Sequence, residues 1–353
     1  MLLNLPELVA ARRVVVVGGK GGVGKTAVSS AVALGEARRG RRVLLVSTDP
    51  AHNLGHLWGA DVGDAGTTLA PRLDAIEIDP ERTTEEHLRQ VGERLRRLMP
   101  PHLAGEVDRH LSLARDAPGM HEAAILERVA EVVEASLASY DLLVLDTAPS
   151  GHTARLMALP ETLTTWTDGL LRREERARRL GEAERGVSGR ATARDRQGRT
   201  LADDPAAGVL GAPAGPVETE QGDRNAEIRD VLLRRRARFA LLRSVFTDPA
   251  ATAFVVVLAA ERLPVLETVE LAEQLRRAGV HLGGLVVNKR SPADGGPLLA
   301  ARRAHEDQYL RTLDDALPRA PRVEAPLLPD DLVGAAALQR FGEVLGFGRT
   351  DVR

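Results

Sequence analysis

The chain has 353 residues, is 43% hydrophobic and carries a formal net charge of −2 at pH 7. A chain of this length can bury one large core with an inserted subdomain. Its small net charge argues against nucleic acid as the main partner. The sequence has no cysteine, which excludes disulfides, thiolate metal sites and thiol catalysis. No apolar run approaches the roughly 20 residues needed to span a bilayer, so we expect a cytoplasmic protein that does not insert into a membrane.

The first predicted strand runs from Arg13 to Val17, and the predicted helix after it from Ala27 to Ala37. The glycine-rich loop between them fits the pattern G-x-x-x-x-G-K-[ST] in the strand-loop-helix context that this pattern requires. Such a loop turns backbone N–H groups onto phosphate oxygens at a helix N-terminus. The alternative is a glycine turn without a ligand. We expect a nucleoside triphosphate to bind the whole loop: Gly19, Lys20, Gly21, Gly22, Val23, Gly24, Lys25 and Thr26.

The loop holds two of the chain's three lysines, which stand against 45 arginines. In such a composition a lysine marks a position that needs a compact ammonium group. Lys25 is expected to reach the β- and γ-phosphates, and the Thr26 hydroxyl to bind Mg²⁺. Lys20 has no evident role at its own phosphates. We expect it to act catalytically on the nucleotide of a second copy, as an arginine finger does; a solvated loop lysine is the alternative.

Two further strands are predicted to end at the phosphates, because ligands of parallel sheets bind beyond the carboxyl ends of the strands. The strand from Arg42 to Val46 is followed by Asp49, and the strand from Leu142 to Leu145 by Asp146. Asp49 is expected to orient or deprotonate the attacking water, and Asp146 to hold Mg²⁺ through a water. Each aspartate could instead be a helix N-cap.

Strand signals alternate with helical ones along the chain. This predicts an α/β fold of the P-loop nucleotide hydrolase class, with a doubly wound, mainly parallel sheet and an inserted α-helical subdomain. Strands are expected near Arg13, Arg42, Leu73, Leu142, Ala253, Leu285 and Arg322. Amphipathic helices are expected at positions 88–98, 125–137 and 159–170, with a break at Pro100 and Pro101.

The predicted core comprises residues 1–80, 139–158 and 247–353, and the predicted helical subdomain residues 81–138 and 159–246. Within the second insertion, Gly181 to Asn225 is poor in large apolar residues and has no aromatic one. We predict a mobile loop there, because so little apolar surface cannot offset the entropy of ordering. No internal repeat is found, which indicates a single nucleotide-binding unit.

Three segments, 20–26, 47–52 and 146–153, together resemble the ArsA-type ATPases of the deviant Walker A class. That family includes arsenite-pump ATPases and guided-entry ATPases that deliver tail-anchored membrane proteins. The resemblance covers nearly the whole chain and continues through residues 254–257, 286–289 and 325–329. It implies ATP as substrate, Mg²⁺ as cofactor and a homodimer that closes on ATP.

The resemblance also implies roles for individual residues. Asn288 would read the adenine, on which Pro326 and Leu327 would pack, and Glu261 would approach the nucleotide from the partner subunit. Asn53 is counted among the ATP-binding residues as well. The loop with Pro149, Gly151 and His152 would act as a switch segment at which the dimer closes on ATP.

The chain also departs from its relatives. Without cysteine it lacks both the zinc-binding CxxC pair of the animal and fungal targeting ATPases and the thiols that bind metalloid in arsenite pumps, so we expect no zinc. Two functions stay open: an ATPase that binds or releases an apolar helical client, as in membrane-protein targeting or chaperoning, and the ATPase subunit of an arsenite- or antimonite-type membrane pump. A positioning ATPase would need a basic surface or a C-terminal membrane helix, and neither is evident.

Overall fold

A computed structural model describes residues 1–49, 53–98, 104–115, 120–148 and 217–348. Its centre is an eight-stranded sheet in the order β3-β4-β2-β5-β1-β6-β7-β8, in which only the β3–β4 pair is antiparallel. The strands are β1 (Val14–Gly19), β2 (Val43–Ser47), β3 (Thr67–Ala70), β4 (Leu73–Glu77), β5 (Leu142–Asp146), β6 (Thr252–Ala259), β7 (Leu282–Arg290) and β8 (Arg322–Pro326). This is the predicted α/β class, and all seven predicted strands are present.

The central strands are buried along their whole length. Strands β1, β2 and β5 have no exposed or half-exposed residue, as expected for a parallel sheet that is covered on both faces. Sequence analysis missed β3, because its four residues are at most half-buried and carry no apolar run.

The described part of the chain also contains ten helices, most of which lie between successive strands in the sequence. They are α1 (Leu5–Ala10), α2 (Lys25–Arg38), α3 (Asn53–Trp58), α4 (Pro80–Leu98), α5 (Ala104–Arg115), α6 (Met120–Ser139), α7 (Val217–Thr247), α8 (Arg262–Arg277), α9 (Pro297–Ala316) and α10 (Gly334–Val344). The first two predicted amphipathic helices are confirmed as α4 and α6. The break at Pro100 and Pro101 and the third helix, at 159–170, lie outside the described residues.

The chain divides into two compact units, one of Met1–Pro160 with Leu241–Arg353 and one of Glu161–Ala240. The prediction placed residues 81–138 with the second insertion, whereas this division places them with the sheet. The physical reason is α6, which buries Leu126 and Val133 and packs against β5 as a crossover helix does.

The predicted mobile loop also needs a correction at its end. Helix α7 begins at Val217, so the last nine residues of the segment 181–225 are helical. Apolar content was a poor guide there, because polar residues such as Glu218, Glu220 and Gln221 favour a helix without apolar burial. Residues 181–216 lie outside the described residues.

Neither edge of the sheet is a regular free strand. Strand β3 is short and its pairing with β4 shifts register between Thr68 and Ala70. At the other edge, the backbone N–H of Leu3 donates to the Arg322 carbonyl at 2.9 Å, and that of Arg322 to the Met1 carbonyl at 3.0 Å. Within the described part of the chain, no helix is both long and apolar enough to cross a bilayer.

A buried arginine joins the last two strands to helix α9. Arg290, whose side chain is 2% exposed, ends β7 and forms ion pairs with Glu306 at 2.6 Å, Asp307 at 2.5 Å and Glu324 at 2.8 Å. Glu306 also accepts a hydrogen bond from the Ser291 hydroxyl at 2.6 Å. The carboxyl end of β7 is therefore fixed on two sides.

We expect Arg290→Met to lower the free energy of unfolding by about 3 kcal/mol, because it leaves the buried Glu306 with only the half-exposed Arg302 as a charged partner, at 3.3 Å. Urea unfolding without nucleotide measures this. The control is Arg276→Met: Arg276 is 73% exposed and pairs with Glu273 at the surface, so the change should stay within about 0.5 kcal/mol. Equal effects of the two substitutions would contradict a structural role for the network.

Candidate functional site

Three strand ends meet at one point of the sheet. Asp146 lies opposite Val17 in the β1–β5 pairing and opposite Ser47 in the β2–β5 pairing. The loops beyond these strands are also joined: the Thr147 hydroxyl donates to the Val17 carbonyl at 2.9 Å, and the Thr48 N–H to the Asp146 carbonyl at 2.9 Å. The loops that the sequence assigned to phosphate therefore lie together, as predicted for a parallel sheet.

The glycine-rich loop has positions that only glycine can fill. Gly19 has φ +141°, and a Cβ there would lie 2.1 Å from the Val257 carbonyl oxygen. Gly24 has φ +96°, and a Cβ there would lie 2.4 Å from the side-chain nitrogen of Asn288. Both conformations are unfavourable for L-residues with side chains. The loop thus packs tightly against β6 and β7 and leads directly into α2.

Lys25 is buried at the first position of α2, where its Nζ donates to the Lys20 carbonyl at 3.2 Å. Burial lowers the pKa of Lys25 below its ordinary value, opposed by the carboxylates of Asp146 and Asp49. The ammonium group therefore lies among loop backbone and carboxylates in a poorly solvated place, where an additional anion would be strongly attracted.

Asp146 is fully buried, and burial is the main reason why its pKa is raised to about 7. The Thr26 hydroxyl and Lys25 lower that pKa, whereas Asp49 and Glu77 raise it further. Among the described residues, no donor meets hydrogen-bonding geometry at either carboxylate oxygen of Asp146, although the Thr26 hydroxyl lies close enough to affect its pKa. A buried carboxylate without donors is the kind of group that a cation satisfies.

Asp49 is also buried, two residues beyond β2, and its backbone N–H donates to the Ser47 hydroxyl at 3.3 Å. The structure thus brings Asp49, Asp146, Lys25 and Thr26 together. Asn53 is exposed at the first position of α3. The predicted switch residues Pro149, Gly151 and His152 lie outside the described residues.

Lys20 is held differently from Lys25. Its Nζ forms an ion pair with Glu267 on α8 at 2.9 Å, and the two side chains are 35% and 36% exposed. Lys20 is therefore paired with a helix outside the loop, whereas Lys25 is held within it.

The residues that the sequence assigned to the adenine lie at the ends of β7 and β8. Pro326 and Leu327 are exposed there, and the Leu327 N–H donates to the Arg290 carbonyl at 2.8 Å. Asn288 is buried, and its side-chain nitrogen donates to the Val23 carbonyl at 2.9 Å. Glu261 is exposed and forms an ion pair with Arg302 at 2.9 Å.

Sequence analysis missed two residues of this site. Glu77 ends β4 beside Ser47, is buried, and accepts a hydrogen bond from the Leu54 N–H at 3.1 Å. Its signal was present, since it follows a strand as Asp146 does. Lys289 donates from Nζ to the Gly22 carbonyl at 2.8 Å. Its signal was that it is the chain's third lysine, and all three lie at this loop.

Comparison with known proteins identifies the family to which the chain is similar. The family of anion-transporting ATPases, ArsA_ATPase, matches residues 12–197 and 215–346. An "ATPase ASNA1 homolog" of Leishmania braziliensis is 32% identical over 93% of this chain and 91% of its own length. A "Putative arsenical pump-driving ATPase 2" of Aquifex aeolicus is 26% identical over 95% of this chain and 100% of its own.

A further relative is about twice as long as the region that it shares with this chain. The "Arsenical pump-driving ATPase" of Acidiphilium multivorum is 28% identical over 91% of this chain but only 47% of its own length. The chain thus corresponds to about half of that protein. With the family match over most of the sequence and a relative that is 32% identical over 93% of it, the chain belongs to the ArsA family of ATPases.

Proposed function

We propose that the protein acts as a Mg²⁺-dependent homodimer that closes on ATP in order to bind or release an apolar client. The observation that carries this proposal is the different placement of the two loop lysines. Lys25 is buried at its own loop, whereas Lys20 is one-third exposed and paired with Glu267 outside that loop. A lysine in that position can serve the phosphates of a second copy, and a two-fold symmetric dimer is the simplest assembly that provides one.

Magnesium fits the residues that are present. Thr26 offers a hydroxyl at the start of α2, and among the described residues no donor meets hydrogen-bonding geometry at either buried oxygen of Asp146. Thr26 would hold Mg²⁺ beside the phosphates, and Asp146 would accept hydrogen bonds from its waters. When bound, the ion neutralises charge on the phosphate oxygens. Asp49, buried and close enough to Lys25 to affect its pKa, would orient or deprotonate the attacking water.

Closure requires Lys20 to exchange partners. The Lys20–Glu267 pair is one-third exposed, and such pairs contribute about 0.2–1 kcal/mol. A phosphate of the partner's nucleotide offers a stronger attraction in a less solvated place. ATP would favour the closed dimer because Lys20 makes this contact only there.

The client would bind to the helical insertion that follows β4. In that insertion Leu88 and Val91 on α4 are only half-buried, and Leu113 on α5 is 68% exposed. Closure of a dimer would bring two copies of this surface together. Apolar side chains that the unit itself does not cover are what an apolar helix would need.

The alternative function, the ATPase of a metalloid pump, is favoured by the names of several relatives. This chain has no cysteine, so metalloid could not act through thiols. Two measurements separate the functions. Copurified apolar helices that detergent releases from a trapped Asp49→Asn dimer would support the carrier, whereas stimulation of ATP hydrolysis by antimonite would support the pump.

We expect Lys25→Ala to abolish tight nucleotide binding, and Lys20→Ala to keep binding but to slow hydrolysis by about 10³-fold or more, the scale for a cation supplied in trans. Asp49→Asn should bind Mg²⁺·ATP and hydrolyse it about a hundredfold more slowly. Equal mixtures of Lys20→Ala and Asp49→Asn should then recover about a quarter of wild-type activity, because half of the dimers hold one intact site.

The control for this mixture replaces Asp49→Asn by the double variant Lys20→Ala/Asp49→Asn, with which no dimer holds an intact site. Steady-state phosphate release measures both mixtures. If the first mixture were no more active than the control, Lys20 would not act in trans.

We expect a non-hydrolysable ATP analogue, but not ADP, to produce a dimer in light scattering at micromolar concentration. Glu267→Gln frees Lys20 and should lower the analogue concentration needed by about two- to fivefold. Glu270→Gln, on the same helix but hydrogen-bonded to Gln274, is the matched control. A protein that stays monomeric with the analogue yet hydrolyses ATP at a rate independent of its concentration would exclude the dimer.

We expect Asp146→Asn to stabilise the nucleotide-free protein at pH 8. The folded-state pKa of Asp146 is raised to about 7, so the folded state loses stability as pH rises from about 4 to about 7, on the order of 4 kcal/mol in all. The gain from asparagine should therefore vanish near pH 4. Urea unfolding across pH tests this, with Asp141→Asn as control. The pKa of Asp141 is lowered to about 2 by Arg42, so its substitution should not stabilise at any pH.

A further inference from the structure

Two consecutive residues at the end of β7 hold two consecutive carbonyls of the phosphate-binding loop. The side-chain nitrogen of Asn288 donates to the Val23 carbonyl at 2.9 Å, and Lys289 Nζ donates to the Gly22 carbonyl at 2.8 Å. The second contact uses the chain's remaining lysine, although arginines outnumber lysines fifteen to one. The compact ammonium group of lysine suits a single carbonyl oxygen better than the planar guanidinium group of arginine does.

This arrangement requires a local departure from strand geometry. In a regular strand, successive side chains point to opposite faces, so neighbours cannot both reach one loop. Here the pairing of β7 with β8 shifts register between Val287 and Arg290, and Lys289 has φ +57°. A left-handed conformation is unfavourable for lysine and persists only where its surroundings hold it. The buried ion pairs of Arg290 fix the chain immediately after it.

The geometry of the peptide bond gives these contacts a consequence for phosphate binding. The carbonyl of one residue and the N–H of the next belong to one planar trans peptide and point in opposite directions. Holding the Gly22 carbonyl therefore fixes the N–H of Val23, and holding the Val23 carbonyl fixes the N–H of Gly24. N–H groups of this loop are the donors that such loops offer to phosphate.

We propose that Asn288 and Lys289 form a carbonyl clamp, which presets the N–H groups of Val23 and Gly24 for phosphate oxygens before the nucleotide arrives. Both act as positioning residues, because they touch the loop and act on phosphate through it. The clamp lowers the entropy that the loop loses on binding, so it strengthens phosphate affinity without contacting the base. The clamp rests on phosphate binding by this loop and does not depend on the dimer or the client.

The clamp gives Asn288 a different role from adenine reading, and a base-free ligand separates the two. Isothermal titration would measure the binding of Mg²⁺·tripolyphosphate, Mg²⁺·ADP and Mg²⁺·GDP to wild type, Asn288→Leu and Lys289→Met. These variants keep the approximate size of the side chain, lose the donor and add no charge. We expect each to weaken all three ligands by about 2- to 10-fold, the scale of one hydrogen bond. Arg319→Ala removes a positive charge at the opposite end of the sheet, before β8, and should leave all three affinities unchanged.

Two further measurements test Lys289 itself. Lys289→Arg retains a charged donor but in a planar fork, so it should restore only part of the tripolyphosphate affinity that Lys289→Met loses. The ratio of wild-type to Lys289→Met affinity should persist between about 0.05 M and about 0.5 M salt, because a short hydrogen bond is screened far less than attraction at a distance. Urea unfolding of each variant confirms that it is folded.

Two results would overturn the clamp. One is an Asn288→Leu variant that binds tripolyphosphate as wild type does but has lost affinity for ADP and not for GDP, which would assign Asn288 to the base alone. The other is a Lys289→Met effect that disappears at high salt, which would mean that Lys289 attracts phosphate directly. If the wild-type protein bound none of the three ligands, phosphate binding by the loop would itself be contradicted. That result differs from the two results that would overturn the clamp alone.

Discussion

The fully buried carboxyl group of Asp146 is the constraint on which the rest of the site depends. An ionised carboxylate in such a place is costly unless charge or hydrogen bonds compensate it. Lys25 and Thr26 compensate in part, while Asp49 and Glu77 add to the repulsion. The site is thus an arrangement of one buried ammonium group among three carboxylates, which a divalent cation with a polyphosphate would complete. Packing of the sheet maintains it, because β1 and β2 hold Asp146 from both sides.

The glycine-rich loop is also held from its other side, by strands near the end of the chain. The glycine-rich loop has little internal structure to fix its own peptides, and its glycines make it more adaptable still. Strands β6 and β7 close against it so tightly that Gly19 and Gly24 admit no side chain. The buried ion pairs of Arg290 join the end of β7 to α9 and β8. Packing and charge pairs away from the loop thus help to fix the conformation of the loop.

How much the sequence could predict depended on whether a feature is local. Short apolar runs and fixed spacings predicted the strand-loop-helix around Lys25 and the buried strands that lead to Asp49 and Asp146. The fold confirms these elements. Features set by tertiary contact were less accessible. The ion-pair partner of Lys20 lies 247 positions away in the sequence. The hydrogen bond from Asn288 to the loop depends on a register shift that no local sequence pattern predicts. The first residues of α7 were not predicted to be helical, because a low apolar content does not exclude a polar helix.

The two edges of the sheet bear on how copies of this chain can meet. An open parallel sheet with a free edge strand could polymerise by adding strands from neighbouring molecules. Here one edge ends in the short, bulged β3, and at the other the backbone of Met1 and Leu3 already occupies hydrogen-bonding groups of Arg322. Edge-to-edge growth of the sheet is discouraged on both sides. The proposed dimer, which would meet through the loops at the carboxyl ends of the strands, leaves both edges of the sheet as they are and needs no strand pairing between copies.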